Sequence, residues 1–317
     1  IWEWFKEGGA VEEQMKQSNK GSKTMSAAKA AGKSVAVVEE EANNLPAVFD
    51  YGGYEDAGFE GTTQDDFAAP FFYIIQPPSP IVLTNDEARP GMLLNGITGE
   101  IIPAEKAKTN ADKGIFHDGI PIVVCYRRHA FVERTPRNAE TGSGGNFVKE
   151  YTPADPVVEH AKNTCEFGKL KTKAGNDLIE TFFVFALRLK ADGEWEHAIL
   201  AFQSTKVRVY KLFMTQLTQL RVPGPNGTRV KPPLFAHRLR LTTKMEKNDQ
   251  GTFYNYELSF DGPSAAHARL DPSSDLFRAA ADFWETCKEG MTDKVNYEAQ
   301  KAAASVDTGA EDTDIPF

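Results

Sequence analysis

The sequence predicts a mainly β fold of the α+β class, built from short strands with one helix between them and one helix after them. Apolar and polar residues alternate over short segments in the middle of the chain, and glycine- and proline-rich turns separate these segments. Helical spacing of apolar residues is confined to residues 204–220 and 273–290. We therefore expect an OB-like β-barrel, closed or partly open, with one intervening helix and a C-terminal helix.

The composition divides the chain into three parts. Residues 1–50 carry few large apolar side chains, so we expect a disordered N-terminal arm. The chain begins with Ile rather than Met, and we expect residues 1–14 to be non-native. Residues 51–290 should form the OB-like domain, and residues 291–317 a flexible acidic tail.

The elements follow in order along the domain. The apolar run 67–75 should be buried, and residues 91–102 should form a hairpin that turns at Asn95 and Gly96. Further strands are predicted at residues 120–126, 130–134, 179–190, 195–203, 234–242 and 252–260, with residues 126–134 forming a second hairpin. Ser204 and Ser274 are the predicted N-caps of the two helices, and Gly290 the end of the second.

The charges are sorted along the chain. The formal net charge of the whole chain is −9, and a negative net charge disfavours binding to nucleic acid. However, residues 197–245 contain no Asp or Glu and nine Lys or Arg, whereas residues 34–88 contain no Lys or Arg. We interpret the basic stretch as a site for a polyanion.

Strand alternation indicates which side chains share a face. With Phe183 and Phe185 inward, Phe182 should lie on the opposite face with Arg188 and Lys190. Cations interleaved with exposed rings are typical of sequence-tolerant single-strand binding, because phosphates bind the cations and bases stack on the rings. The residues predicted to bind DNA are Arg127, Arg128, Phe131, Arg134, Phe182, Arg188, Lys190, Lys206, Arg208, Lys211, Arg238, Arg240 and Phe253.

The C-terminal segment combines acidic residues with an apolar tip. It contains Asp312, Asp314, Ile315, Pro316 and Phe317, and Thr313 interrupts the acidic run. This closely resembles the tail of bacterial single-stranded DNA-binding proteins, which implies that these five residues recruit replication and repair partners. In such a tail the Phe ring binds in an apolar pocket of the partner protein, and basic residues around that pocket attract the acidic side chains that precede it.

The body of the chain looks like a group of tailed-phage proteins. The resemblance runs through residues 57–80, 89–100 and 119–137, and implies single-stranded DNA binding in phage replication, recombination and repair. The expected partners are therefore single-stranded DNA and proteins that bind the tail, and the expected location is the bacterial host cytoplasm. No membrane partner is expected, and homo-oligomerisation is left open.

An enzyme is not expected. Residues 31–34 end like a phosphate-binding loop, but Ala27 stands where that loop needs Gly, and the six histidines show no metal-ligand spacing. No cofactor and no metal are therefore predicted. The alternatives are a single-strand annealing recombinase and, less favoured, a phage structural protein or a nuclease whose carboxylates assemble only in space.

Overall fold

A computed structural model describes residues 69–104, 119–136, 144–166, 168–248 and 251–290. The predicted N-terminal arm and acidic tail lie outside these residues and stay predictions. The described elements in chain order are β1 (Phe72–Ile74), α1 (Ile81–Thr84), β2 (Leu93–Asn95), β3 (Ile101–Ile102), β4 (Ile120–Arg134), β5 (Phe147–Tyr151), α2 (Pro156–Thr164), β6 (Asp177–Leu189), β7 (Trp195–Gln203), α3 (Thr205–Gln219), β8 (Val222–Pro223), β9 (Arg229–Val230), β10 (Arg238–Asn248), β11 (Gly251–Phe260) and α4 (Asp275–Lys288).

The fold is mainly β, as predicted, and its main sheet is antiparallel. The strands run in the order β11-β10-β4-β6-β7, and β5 pairs with the end of β4. Within the described residues β7 and β11 do not pair with each other, so the sheet does not close into a barrel. No helix in the described part of the chain is long and apolar enough to span a lipid bilayer.

A small sheet, β1-β2-β3, lies between the two edges of the main sheet. On the β7 side, the Ile199 N–H donates to the Pro70 carbonyl at 2.8 Å. On the β11 side, the Gln76 amide accepts from the Tyr254 N–H and donates to its carbonyl, both at 2.8 Å. The Tyr256 hydroxyl adds a bond to the Phe72 carbonyl. Residues 70–76 thus link β7 and β11, the two edge strands of the main sheet, which do not pair with each other.

Both faces of the main sheet are buried, which alternation alone did not predict. One face, with Val184 and Ala186, packs against the α3 residues Tyr210, Phe213 and Leu217. The other face, with residues such as Phe183 and Phe185, packs against the α4 residues Ala280, Phe283 and Cys287. The two helices therefore cover opposite faces of one sheet.

Three predicted elements need correction. The predicted hairpin at residues 126–134 is wrong, because β4 is one continuous strand of 15 residues. The predicted strand 234–242 starts later, since Leu234–Ala236 is a 3₁₀ turn. The hairpin at 91–102 is confirmed, because β2 pairs with β3. Its turn is longer than the predicted Asn95-Gly96 dipeptide. Asn95 Oδ1 accepts a hydrogen bond from the N–H of Ile97, and the residue of the turn with a positive φ is Gly99.

β5 and α2 lie at the far end of β4 and were not predicted from the sequence. α2 buries Val158 and Ala161 against Phe131 and Leu178. A buried carboxylate, Glu133, holds this end together by accepting hydrogen bonds at 2.6 to 2.9 Å. The donors are Tyr151, Thr172 and Asn176. Burial opposes the charge of Glu133, but these bonds outweigh it and keep its pKa below the ordinary value.

Candidate nucleic-acid interface

A β-bulge determines which side chains of β4 face α3. The register between β4 and β6 shifts between Val124 and Tyr126, so Cys125 is an extra residue on β4. A bulge of this kind changes the direction of the side chains that follow it. After the shift, Arg127 pairs with Val184 and His129 with Phe182, on the face covered by α3.

Four rings form a continuous row on this face, which we call the aromatic row: Phe131, His129, Phe182 and Tyr210. The His129 and Phe182 rings stack at 4.2 Å, and those of Phe182 and Tyr210 at 4.4 Å. His129 and Phe131 lie 5.4 Å apart at a tilt of 42°. Because the rings stack on one another, they leave no room for a base between them.

This arrangement corrects two predicted stacking residues. Phe131 is 1% exposed and Phe182 6%, so neither offers a ring face to a ligand. His129 is the more accessible member, since 28% of its side chain is exposed. His129 is not among the residues predicted to bind DNA, because the bulge that turns it toward Phe182 cannot be predicted from alternation.

Charged groups surround the aromatic row. Lys211 Nζ lies 5.3 Å from the Phe182 ring centroid, and Lys162 Nζ lies 4.6 Å from that of Phe131. Glu180 contacts both His129 Nε2 at 3.1 Å and Lys211 Nζ at 3.3 Å. Burial lowers the pKa of His129 more than Glu180 raises it, so the ring is neutral at pH 7.

A groove of about 690 Å³ lies beside Tyr210, between α3 and the segment that leads into β10. We call it the α3 groove. Three cations line it, Arg127, Lys211 and Lys231, and no carboxylate occurs among its described lining residues. The other lining residues are Tyr210, Met214, Thr215, Leu217, Thr218, Leu220, Pro232, Pro233, Leu234 and His237. Because Lys211 also contacts Glu180 at 3.3 Å, this lining attracts anions mainly through Arg127 and Lys231.

The groove lies where one edge of β4 lacks a partner strand. β10 pairs with residues 120–123 and β5 with residues 131–134, which leaves Arg127 in the gap among the described strands. Burial raises the pKa of Tyr210, and the Arg127 guanidinium beside it offsets part of the rise. Burial and the charge of Arg269 lower the pKa of His237. At neutral pH the groove therefore owes its charge to Arg and Lys.

The structure does not bring the other predicted DNA contacts to the groove. Arg128 lies on the opposite face of β4, where its guanidinium contacts Glu150 at 2.9 Å and covers the Phe183 ring. Arg134 donates to the Gly145 carbonyl at 2.9 Å. Both side chains stabilise the β4 and β5 region rather than line the groove.

Arg188 is committed to carboxylates. Its guanidinium donates two bonds to Glu100, at 2.7 and 2.9 Å, and a further bond to Glu196. Burial would lower the pKa of Arg188, but these two partners raise it overall. Lys190 lies 3.7 Å from the same Glu196. Phe182 and Arg188 do share the face of β6 opposite Phe183, as predicted, but the ring is buried and the arginine is paired, so this face is not the predicted binding surface.

Arg238 and Arg240 point outward side by side, as predicted, but both contact Asp261. On α3, Lys206 lies over the Tyr256 ring at 5.7 Å, whereas Arg208 is exposed and lowers the pKa of Glu246. Phe253 is half-buried. Of the thirteen predicted contacts, only Arg127 and Lys211 therefore line the α3 groove.

Comparison with known proteins identifies a family. The profile of the Pam3 phage gp34-like protein family matches residues 38–293. No curated protein and no solved structure matches the chain. The matched region covers most of the 317 residues and includes both the main sheet and the α3 groove. The chain therefore belongs to the Pam3 phage gp34-like protein family.

Proposed function

We propose that this protein binds single-stranded DNA without sequence preference during phage DNA replication, recombination and repair. The α3 groove carries the proposal: Arg127, Lys211 and Lys231 line it, and no described lining residue is acidic, although the whole chain has a net charge of −9. Such a concentration of one sign of charge against the average of the molecule indicates an anionic ligand.

The order of the strands supports a further part of the proposal, an OB-like architecture. β4, β6 and β7 form a meander, α3 follows, and β10 returns to the free edge of β4 before β11 pairs with β10. OB folds have five strands in a partly open barrel and are frequent binders of oligonucleotides. Here the two edges of the open sheet are linked through residues 70–76 rather than by direct pairing.

Recruitment of partners is the remaining part of the proposal. Asp312, Asp314, Ile315, Pro316 and Phe317 would bind replication and repair proteins, and the resemblance of this segment to the bacterial tails supports that role. The proposal involves no catalytic step, no cofactor and no metal.

The test is a fluorescence titration of labelled single-stranded and double-stranded oligonucleotides at several salt concentrations. The variant R127A/K211A/K231A should bind single strands about a hundredfold more weakly near 0.1 M salt. Its slope of log affinity against log salt should be smaller by about 2, since each phosphate contact on a single strand contributes roughly 0.7.

The matched control is K169A/K171A/K173A, which removes the same charge from lysines outside the groove. It should keep most of the affinity. An equal loss in both variants would show that binding follows overall charge and not this groove, and an absence of single-strand binding at low salt would refute the proposed function.

A further inference from the structure

The α3 groove has two apolar walls beneath its charged rim. Met214 and Leu217 of α3 and its C-cap Leu220 form one wall, and Pro232, Pro233 and Leu234 form the other. Its volume of about 690 Å³ lies in the range of roughly 300 to 1,000 Å³ that is usual for sites that enclose small molecules. A ligand with both apolar and anionic parts would therefore contact the walls with its apolar part and the cations with its anionic part.

Phosphate contacts alone do not account for the walls. A phosphate group keeps its hydration and needs donors, which the cations on the rim supply. It gains nothing from side chains such as Met214 or Pro232. An unpaired nucleotide, by contrast, carries a flat base with apolar faces next to each phosphate, so it matches the rim and the walls together.

The polar groups on the α3 wall can accommodate different bases. The Thr215 hydroxyl donates to the Lys211 carbonyl at 2.8 Å, and the Thr218 hydroxyl donates to the Thr215 carbonyl at 2.9 Å. Both oxygens keep lone pairs that accept hydrogen bonds from a base edge. Met214 adds a flexible, polarizable side chain that adapts to different shapes. This combination does not select one base.

We propose that the α3 groove is a nucleobase pocket, which holds one or two unpaired bases between its apolar walls while Arg127, Lys211 and Lys231 bind the adjoining phosphates. This inference rests on the proposed single-strand binding and adds where the bases lie. It also gives a physical basis for rejecting duplex DNA, because paired and stacked bases cannot enter the groove.

The test compares an ordinary single-stranded oligonucleotide with one of the same length in which every site is abasic. The abasic strand keeps the phosphates and lacks the bases. The wild-type protein should bind it at least about tenfold more weakly, the contribution of one stacked base. M214A should bind the ordinary strand about threefold to tenfold more weakly and leave the affinity for the abasic strand unchanged.

A second variant and a control accompany M214A. T218W fills the groove from an exposed position of α3 and should cause the same selective loss. L212A truncates an apolar residue of the same helix that is 59% exposed and does not line the groove, so it should change neither affinity. Circular dichroism establishes that each variant is folded.

The outcomes separate this inference from the proposed function. Equal binding of ordinary and abasic strands, unchanged in M214A and T218W, would show that the groove holds phosphates only and would overturn the nucleobase pocket. No binding of either strand by the wild-type protein would overturn the proposed function itself.

Discussion

His129 is the titratable ring of the aromatic row, and its environment opposes protonation. Burial between Phe131 and Phe182 lowers its pKa from the ordinary 6.5, the charges of Lys162 and Lys211 act in the same direction, and Glu180 opposes them. The ring is therefore mostly neutral at pH 7, and its protonation needs a lower pH than that of a free imidazole. A bound phosphate near the row would favour the proton, because it adds negative charge.

The pH dependence of DNA binding should reveal this proton. Between about pH 8 and about pH 5.5 the wild-type affinity for single strands should rise by up to about fivefold, the effect of one added cation. In H129Q, which keeps a polar side chain without the charge, the rise should be smaller. Fluorescence anisotropy at constant ionic strength measures both profiles, and identical profiles would exclude a role for His129.

Single residues also show what alternation can and cannot predict. Alternation correctly placed Leu239 and Leu241 in the core, with Arg238 and Arg240 outward. It also placed Phe182 on the correct face, but the inference that the ring is exposed failed, because alternation sorts the two faces of a strand and does not tell whether a helix covers both. Arg127 and Lys211 were selected for their charge, and their meeting in one groove depends on a bulge and a helix crossing that the sequence does not encode locally.

At the scale of elements, α3 and α4 begin in different ways although the sequence predicts a serine cap for both. Ser274 Oγ accepts a hydrogen bond from the Phe277 N–H, as an N-cap does. Ser204 makes no such side-chain bond, and its φ of 52° and ψ of −124° lie in a region that favours glycine. The predicted cap of α4 is confirmed. Ser204 occupies the predicted N-cap position of α3, but its side chain makes no capping hydrogen bond.

This difference predicts opposite effects of two substitutions on the free energy of unfolding. S274A should destabilise the protein by about 1 kcal/mol, because the Phe277 N–H loses its acceptor. S204G should stabilise it by about 1 kcal/mol, because glycine adopts the positive φ without strain. Urea denaturation measures both values. A destabilised S204G would mean that the Ser204 side chain contributes something that its hydrogen bonds do not reveal.

Longer elements were predicted better than the short ones. The strand at residues 195–203 and the helix that follows were predicted with nearly correct ends, because each has a strong period and a clear turn beside it. β5 and α2 were not predicted, because each is mostly polar and has too few buried apolar residues to give a clear period. The open strand order was also not predictable, since pairing partners depend on contacts between distant segments.

At the scale of the whole molecule, basic and acidic residues are concentrated in different parts of the chain. The α3 groove is basic, whereas the segment from residue 306 onward contributes four acidic side chains and no basic one. Charges of opposite sign on one chain attract over distances of about 10 Å at 0.1 M salt and much farther at low salt. We therefore expect the tail to compete with DNA for the groove when salt is low.

Two truncations separate this competition from partner recruitment. Deletion of residues 306–317 should tighten single-strand binding at low salt and have little effect at high salt, because screening removes the attraction. Deletion of residues 315–317 alone should leave DNA affinity unchanged and abolish retention of replication proteins from a host extract on the immobilised protein. If the shorter deletion retains the same proteins, the tail does not recruit them.

The bonds between Gln76 and Tyr254 have a consequence for the solution behaviour of the protein. Unpaired edges of β-sheets are where protein molecules most readily associate into aggregates. Here a side-chain amide occupies both peptide groups at one position of β11, as a neighbouring strand would. We therefore expect Gln76 to hinder the association of copies along this edge at high protein concentration.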